Sequence, residues 1–369
     1  MKPVILFESY PDFNGNSLEI YNELIRRGYD KKYDLIWAVY DDFNIPTDKN
    51  ILKTFPKAGP IHLTPPVRAV LERTKLIIDS NRYIYKFGKA FRFHVRHGCC
   101  LKNSKGYNRG LGNVDGILTT SEEMLKLDQQ IFAPDIANKF VITGMPVTDK
   151  LFSPKNLYSC GFMKELTGSS NKYAKVIGWL PTFRDHRHHA CGKNRFPFGL
   201  PGIHSVAEFT KLNDILKSKN MLLIVQQHHA QAKNYDAPPK CSNIVFVNEV
   251  LKNKYNVSTS DLLGNFDALL TDYSSAYHEY IILNRPIGLV VEDLLEYAKK
   301  NGFFCNYLEW IKGDYIKDNV GLQKWLIDIS NNVDRSKKLR EDSLHKIHKY
   351  IDNKSTQRVV DYLVKKFSL

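Results

Sequence analysis

Short apolar runs of strand length alternate with stretches whose apolar residues recur at helical spacing through most of this chain. Residues 2–8 read as a buried strand. Residues 16–26 read as a helix with Leu18, Tyr21, Leu24 and Ile25 on one face, closed by Gly28. Strands follow at 34–40, 76–79, 91–97, 116–120 and 140–143, with helices over 67–73 and from Ser121 onward. The stretch 155–173 is rich in Ser, Asn and Lys and reads as a linker. Beyond it, strands at 176–180, 222–226, 244–247, 268–270 and 286–291 alternate with helices at 205–219, 260–265, 276–283 and 294–300. Helices at 322–329, 335–350 and 357–367 end the chain. Such alternation predicts an α/β protein with two Rossmann-like parallel-sheet domains, 1–160 and 161–350, followed by a helix in 351–369. In such folds ligands lie at the carboxyl ends of the strands, so a cleft between two facing domains is the expected site.

Polar clusters follow several strands directly. They are Arg96-His97-Gly98, Gly144-Met145-Pro146-Val147-Thr148-Asp149, Pro181-Thr182-Phe183-Arg184-Asp185, Gln226-Gln227-His228-His229 and Asp272-Tyr273-Ser274-Ser275, with Glu279 one turn further on. The last is the most pointed. An apolar strand ends in hydroxyls, and a helix begins with Ala276, Tyr280 and Leu283 on one face. Ser and Asp are good helix caps, so an ordinary capped connection accounts for this turn as well as a phosphate site does. Taken together, the clusters have the groups that hold a pyrophosphate: hydroxyls, backbone amides, His and Arg. A glutamate can take ribose hydroxyls, and a histidine can take a proton from an attacking alcohol.

Composition narrows the classes. The 369 residues are 43% hydrophobic with a formal net charge of +14, which points to acidic partners: an anionic membrane surface or a phosphate-rich substrate. No nucleic-acid-binding motif is present, so nucleic acid is not expected. No phosphate-binding loop or G-x-G-x-x-G occurs, against ATP, GTP and NAD. The six cysteines are scattered, His186, His188 and His189 fall in a polar loop, and no acidic cluster has ligand spacing, so no metal or other cofactor is expected. Cys99 and Cys100 read as packing. The N-terminal apolar run is too short for a signal peptide and no run reaches membrane-span length, which fits a reducing cytoplasm.

The ordered set Phe7-Glu8-Ser9, Arg96-His97-Gly98-Cys99-Cys100-Leu101-Lys102, Gly144 to Asp149, Leu180-Pro181-Thr182-Phe183-Arg184-Asp185, Thr271-Asp272-Tyr273-Ser274-Ser275 and Asn301-Gly302-Phe303-Phe304 resembles the CDP-glycerol glycerophosphotransferase family. These are bacterial teichoic acid primases and polymerases with relatives in capsule synthesis. The resemblance implies a GT-B fold with C-terminal helices packing back across both domains. It also implies transfer of an alditol phosphate from a CDP-alditol to a hydroxyl of a lipid-linked or polymeric glycan, releasing CMP, at the inner face of the cell membrane. It places His97 as the base and His228 beside the donor phosphates. Pro181 and Thr182 fall near the cytidine, Ser274 and Ser275 on the phosphate, and Glu279 on the nucleotide.

With Arg184 and Gln227 on the donor side, and Arg96, Gly98, Lys102 and Asp272 as acceptor or phosphate contacts, these form the expected site. The family usually has Thr-Pro at Cys99-Cys100, arginine at Val147, a basic residue at Gln226 and Asp at Glu279. Each lost cation removes a phosphate contact of about 1.5–3 kcal/mol. Arg184, Arg187 or Lys102 are the candidates to replace them; otherwise the donor carries a different group. Two other functions fit the same pattern: a GT-B glycosyltransferase using a nucleotide sugar, and a non-catalytic polyanion-binding protein on this scaffold. Oligomeric state is not legible.

Overall fold

A computed structural model describes residues 1–39, 54–56, 65–80, 88–98, 101–102, 113–132, 134–182, 184, 196–227 and 235–367. It divides into two compact units: Met1–Cys99, Gly106–Asp149 and Lys346–Leu369 form one, and Cys100–Lys105 with Lys150–His345 the other.

The first unit is a parallel sheet of β1 (Val4–Phe7), β2 (Asp34–Val39), β3 (Thr54–Pro56), β4 (Thr74–Asp79), β5 (Phe91–His94), β6 (Gly116–Thr119) and β7 (Phe140–Ile142), in the order β3-β2-β1-β4-β5-β6-β7. β1 is buried along its whole length, as an inner strand covered on both faces must be. Phe7 stacks on Trp37 at 5.4 Å and meets the edge of Tyr21 at 5.1 Å, which seats the helix Gly15–Arg26 on the sheet.

The C-terminal helix Ser355–Phe367 belongs to this unit, and the Gly144 to Asp149 motif is what holds it. Asp149 accepts from the Ser355 and Thr356 amides at 2.9 and 2.8 Å, a helix cap supplied from a distant segment. Gly144 sits at φ 79°, and a Cβ there would lie 2.5 Å from Ser355 Oγ. This strand-end cluster is therefore structural.

The second unit repeats the plan. β8 (Lys175–Leu180), β9 (Met221–Val225), β10 (Ile244–Phe246), β11 (Ala268–Thr271), β12 (Ile287–Val290) and β13 (Asp314–Ile316) form a parallel sheet in the order β10-β9-β8-β11-β12-β13. Both sheets thus follow the doubly wound order, with reversals between β1 and β4 and between β8 and β11.

Two expectations need correction. The stretch 155–173 is not a linker, because it carries the helix Phe162–Thr167 with Phe162 and Met163 buried. It is tied to the second unit by Lys155 N donating to Asp261 Oδ1 at 3.0 Å and Asn265 Nδ2 donating to Lys155 O at 2.8 Å. The short edge strands β3 and β13 were not anticipated, since three residues carry too little periodicity to read.

Gly178, at the centre of β8, lies under the buried ring of Phe266, which a Cβ would meet at 2.1 Å. Neither the strand nor the ring can yield, so Gly178→Ala is expected to destabilise the protein by about 2–3 kcal/mol. This would be measured as a lower chemical-denaturation midpoint; an unchanged midpoint would refute the close approach.

Candidate functional site

The reversal between β8 and β11 brings Pro181 and Thr182 beside Asp272 to Ser275. Arg184 anchors the junction. Its guanidinium, 1% exposed, donates Nε and Nη2 to both oxygens of Asp293 at 2.7 and 2.9 Å, and Nη1 to Asp272 Oδ2 at 2.6 Å and to Thr182 O at 3.1 Å. Asp272 Oδ1 accepts from the Thr182 amide at 2.8 Å, and the Asp272 carbonyl accepts from Tyr307 Oη at 2.8 Å. Tyr273 Oη donates to Asp293 Oδ1 at 2.9 Å while its ring stacks on Tyr297 at 4.1 Å. Burial opposes the charge on Arg184, but the Asp272 and Asp293 carboxylates overcome that and lift its pKa well above the ordinary value; in return Arg184 holds Asp293 low.

Two sequence-based assignments change here. Arg184 does not contact the donor phosphates, because its donors are committed to carboxylates in the interior. Asp272 is equally buried and cannot reach an acceptor. Both are positioning residues. Asp293, Tyr297 and Tyr307 complete the hub and were not anticipated; the signal for Asp293 was a carboxylate just past an apolar strand.

The hub holds up a turn whose hydroxyls are not used for capping. Ser275 precedes the helix Ala276–Tyr280 in helical conformation, φ −62° and ψ −18°, and makes no side-chain cap. Among the described residues Ser274 Oγ accepts only a long 3.4 Å contact, from the Ala276 amide. The expectation of a serine-capped helix fails, and the hydroxyls stay half-exposed at the sheet reversal. Glu279, partly exposed, has no side-chain partner among the described residues, and desolvation raises its carboxyl to about 7. Thr182, 6% exposed, has a buried hydroxyl without a partner among the described residues. Gln227 donates Nε2 to Phe198 O at 2.7 Å, which ties the end of β9 to the segment carrying Phe198. Lys102 bridges to Phe303, so the end of the Arg96 to Lys102 segment meets the Asn301 to Phe304 segment in this unit.

In the first unit the strand ends present His97. Arg96, just before it, has φ 56°, a left-handed conformation costly for an arginine. Arg96 Nη1 donates to Asp128 Oδ2 at 2.8 Å, and Asp128 also accepts from Thr119 Oγ1 at 2.8 Å. Asn16 Nδ2 donates to the carbonyls of Val95 and Arg96 at 2.9 and 3.0 Å, and its Oδ1 accepts from Val147 N at 3.0 Å. These contacts hold the strained turn and leave His97 exposed to solvent, while the protein packed about it desolvates the imidazolium and lowers its pKa. A histidine so held is neutral at pH 7 and able to accept a proton. Arg96, assigned from sequence as an acceptor or phosphate contact, is corrected: it is 2% exposed and paired with Asp128. Gly98 is buried beside His97. Asn16 and Asp128 were missed because nothing local marks them.

His228, Cys99, Cys100, Phe183 and Arg187 lie outside the described residues. Among the described residues no three His, Cys, Asp or Glu side chains gather as a metal site would require.

The sequence pattern of the CDP-glycerol:poly(glycerophosphate) glycerophosphotransferase family matches residues 1–365. The teichoic acid glycerol-phosphate primase of Bacillus subtilis (strain 168) is 29% identical over 262 residues, 70% of this chain and 60% of the relative. The teichoic acid ribitol-phosphate polymerase TarL of Staphylococcus aureus (strain NCTC 8325 / PS 47) is 26% identical over 378 residues, 96% of this chain and 60% of the relative. The chain thus spans 60% of the length of each of these relatives. The solved wall teichoic acid polymerase TagF superposes with a TM-score of 0.73 at 18% identity, over 99% of this chain and 89% of that one; at that identity the likeness carries the fold.

Glu279 supplies a pH test. Its folded pKa of about 7 exceeds the ordinary 4.5, so the folded state binds more protons between those values and stability falls as pH rises through that window. Glu279→Gln removes the cost. The variant should match the wild type below pH 4 and exceed it by about 1–3 kcal/mol at pH 8, read as denaturation midpoints; curves that stay parallel would place the carboxyl in water.

Proposed function

The chain belongs to the CDP-glycerol:poly(glycerophosphate) glycerophosphotransferase family, and on that premise we propose that it moves an alditol phosphate, glycerol phosphate first among the candidates, from a CDP-alditol to a hydroxyl of a lipid-linked or polymeric cell-surface glycan. CMP is released, and the reaction belongs to teichoic acid or capsule synthesis. The observation that carries this reading is the unused hydroxyl pair of Ser274 and Ser275 at the β8–β11 reversal, rigidly backed by the Arg184 hub. Ser274 and Ser275 donate to the phosphoryl oxygens of the pyrophosphate, and Glu279 accepts from the ribose hydroxyls. His97 takes the proton of the acceptor hydroxyl. The acceptor oxygen then bonds to the phosphorus bearing the alditol, and the P–O bond to CMP breaks, with the electron pair leaving on CMP. His228 assists the departing phosphate in this scheme, which routes no step through a metal. The carboxylates of the hub never touch the substrate and act by fixing the turn.

No helix among the described residues is long and apolar enough to cross a membrane. The reading places the protein on the cytoplasmic face of the membrane, where the net charge of +14 would draw it to anionic lipid and to its polyanionic product.

The test is CMP release by the purified protein from CDP-glycerol and from CDP-ribitol, with a lipid-linked disaccharide or its glycerol-phosphate-primed form as acceptor. His97→Asn is expected to lower kcat by at least about 100-fold with donor affinity kept. The wild-type kcat should fall on an acidic limb lying below the usual histidine value of about 6.5. No CMP from either donor would sink the proposal.

A further inference from the structure

The second unit is a continuous run, Lys150–His345, to which the chain adds Cys100–Lys105. This excursion leaves the first unit just after His97 and re-enters it at Gly106. Its described residues are laid on the second unit by their backbone. Leu101 O accepts from the Phe304 amide at 2.8 Å, and Lys102 pairs with Phe303 in antiparallel fashion. Leu101 is 3% exposed.

The surface it is laid on belongs to the hub. Gly302 closes the helix Leu294–Asn301, its amide donating to Ala298 O at 2.9 Å, and its φ of 69° is open to glycine at little cost. The Phe303 ring that follows lies 4.8 Å from Tyr307, 5.7 Å from Tyr273 and 5.8 Å from Tyr297. Tyr307 holds the Asp272 carbonyl and Tyr273 precedes Ser274. The strand pair therefore shares its aromatic floor with the phosphate turn.

Four residue steps separate His97 from Leu101, and such a chain spans at most about 14 Å when fully extended. Pinned at Leu101, the backbone cannot carry His97 further than that from the strand pair. Unpinned, the excursion would set no such limit. We propose that the pairing of Leu101-Lys102 with Phe303-Phe304 is a positioning clamp: it fixes the length of chain between His97 and the platform that carries Ser274 and Ser275. Leu101 and Phe304 are positioning residues and touch no substrate. The clamp rests on the transferase reading, because a base must come within hydrogen-bond reach of the hydroxyl it deprotonates, and a misplacement of about 1 Å can cost on the order of 100-fold in rate.

The experiment lengthens the chain on either side of the clamp. Gly-Ser-Gly inserted between Cys99 and Cys100 slackens the tether to His97, whereas the same insert between Lys105 and Gly106 does not. The first insertion is expected to lower kcat for CMP release at least about ten-fold, with calorimetric CDP affinity unchanged and the acidic limb of kcat in place. The second should match the wild type. Phe304→Pro removes the amide that pins Leu101 and should reproduce the first insertion; either of the two decides the matter if the other does not fold. Wild-type kcat in the first insertion, an equal loss from both insertions, or a parallel loss of CDP affinity overturns the clamp and leaves the transfer reading standing. If the wild type releases no CMP from CDP-glycerol or CDP-ribitol, the transfer reading falls and the tether is decided by amide hydrogen exchange. Faster exchange at His97 and Gly98 in the first insertion but not the second then upholds it, and unchanged exchange overturns it.

Discussion

The ion pairs of Arg184 with Asp272 and Asp293 are the constraint on which the donor side of this molecule depends. They join the segments that leave β8, β11 and β12, three neighbouring strands, at the point where the sheet reverses direction. Burying one guanidinium and two carboxylates is costly unless each finds partners, and here they do: the arginine fork meets Asp293 bidentately, and Tyr273 and the Thr182 amide take further carboxylate oxygens. An aliphatic core could stabilise this corner as well. It could not dictate where the turn after β11 points, which is what a phosphate site needs.

A second consequence concerns the serines. Their usual service to a helix is to satisfy its first amides. Here the helix after β11 is one short turn that runs into a tight turn ended by Asn284 at φ 47°, and Ser275 adopts helical geometry itself. The hydroxyls are thereby left for a ligand. The strained Arg96 turn in the first unit follows the same logic: Asn16 and Asp128 hold an unfavourable backbone so that the next side chain, His97, stays outside.

Charge is handled differently in the two places. In the hub, Arg184 holds the Asp293 carboxyl below its ordinary pKa. At Glu279 and His97, desolvation without a compensating partner among the described residues shifts each group toward its neutral form. Titration near neutrality therefore falls on Glu279 and His97 rather than on the hub.

Most of the architecture was legible along the chain, because inner parallel strands are continuous apolar runs and the helices between them show one apolar face. The strand ends that carry polar residues followed directly, and with them His97, Ser274, Ser275 and Glu279 as candidates. Local sequence could not tell which polar residue faces outward and which faces inward. Arg184, Asp272 and Arg96 look like ligand contacts when read one at a time, yet each finds its partner far along the chain: Arg184 pairs with Asp272 and Asp293, and Arg96 with Asp128. The same holds for the Gly144 to Asp149 motif, which reads as a polar strand-end cluster and serves to cap a helix more than two hundred residues away. Periodicity and residue type act over a few positions and settle the elements. Pairing between buried charges acts across the fold, so only the assembled units decide which groups are spent on holding the site and which are left to work in it.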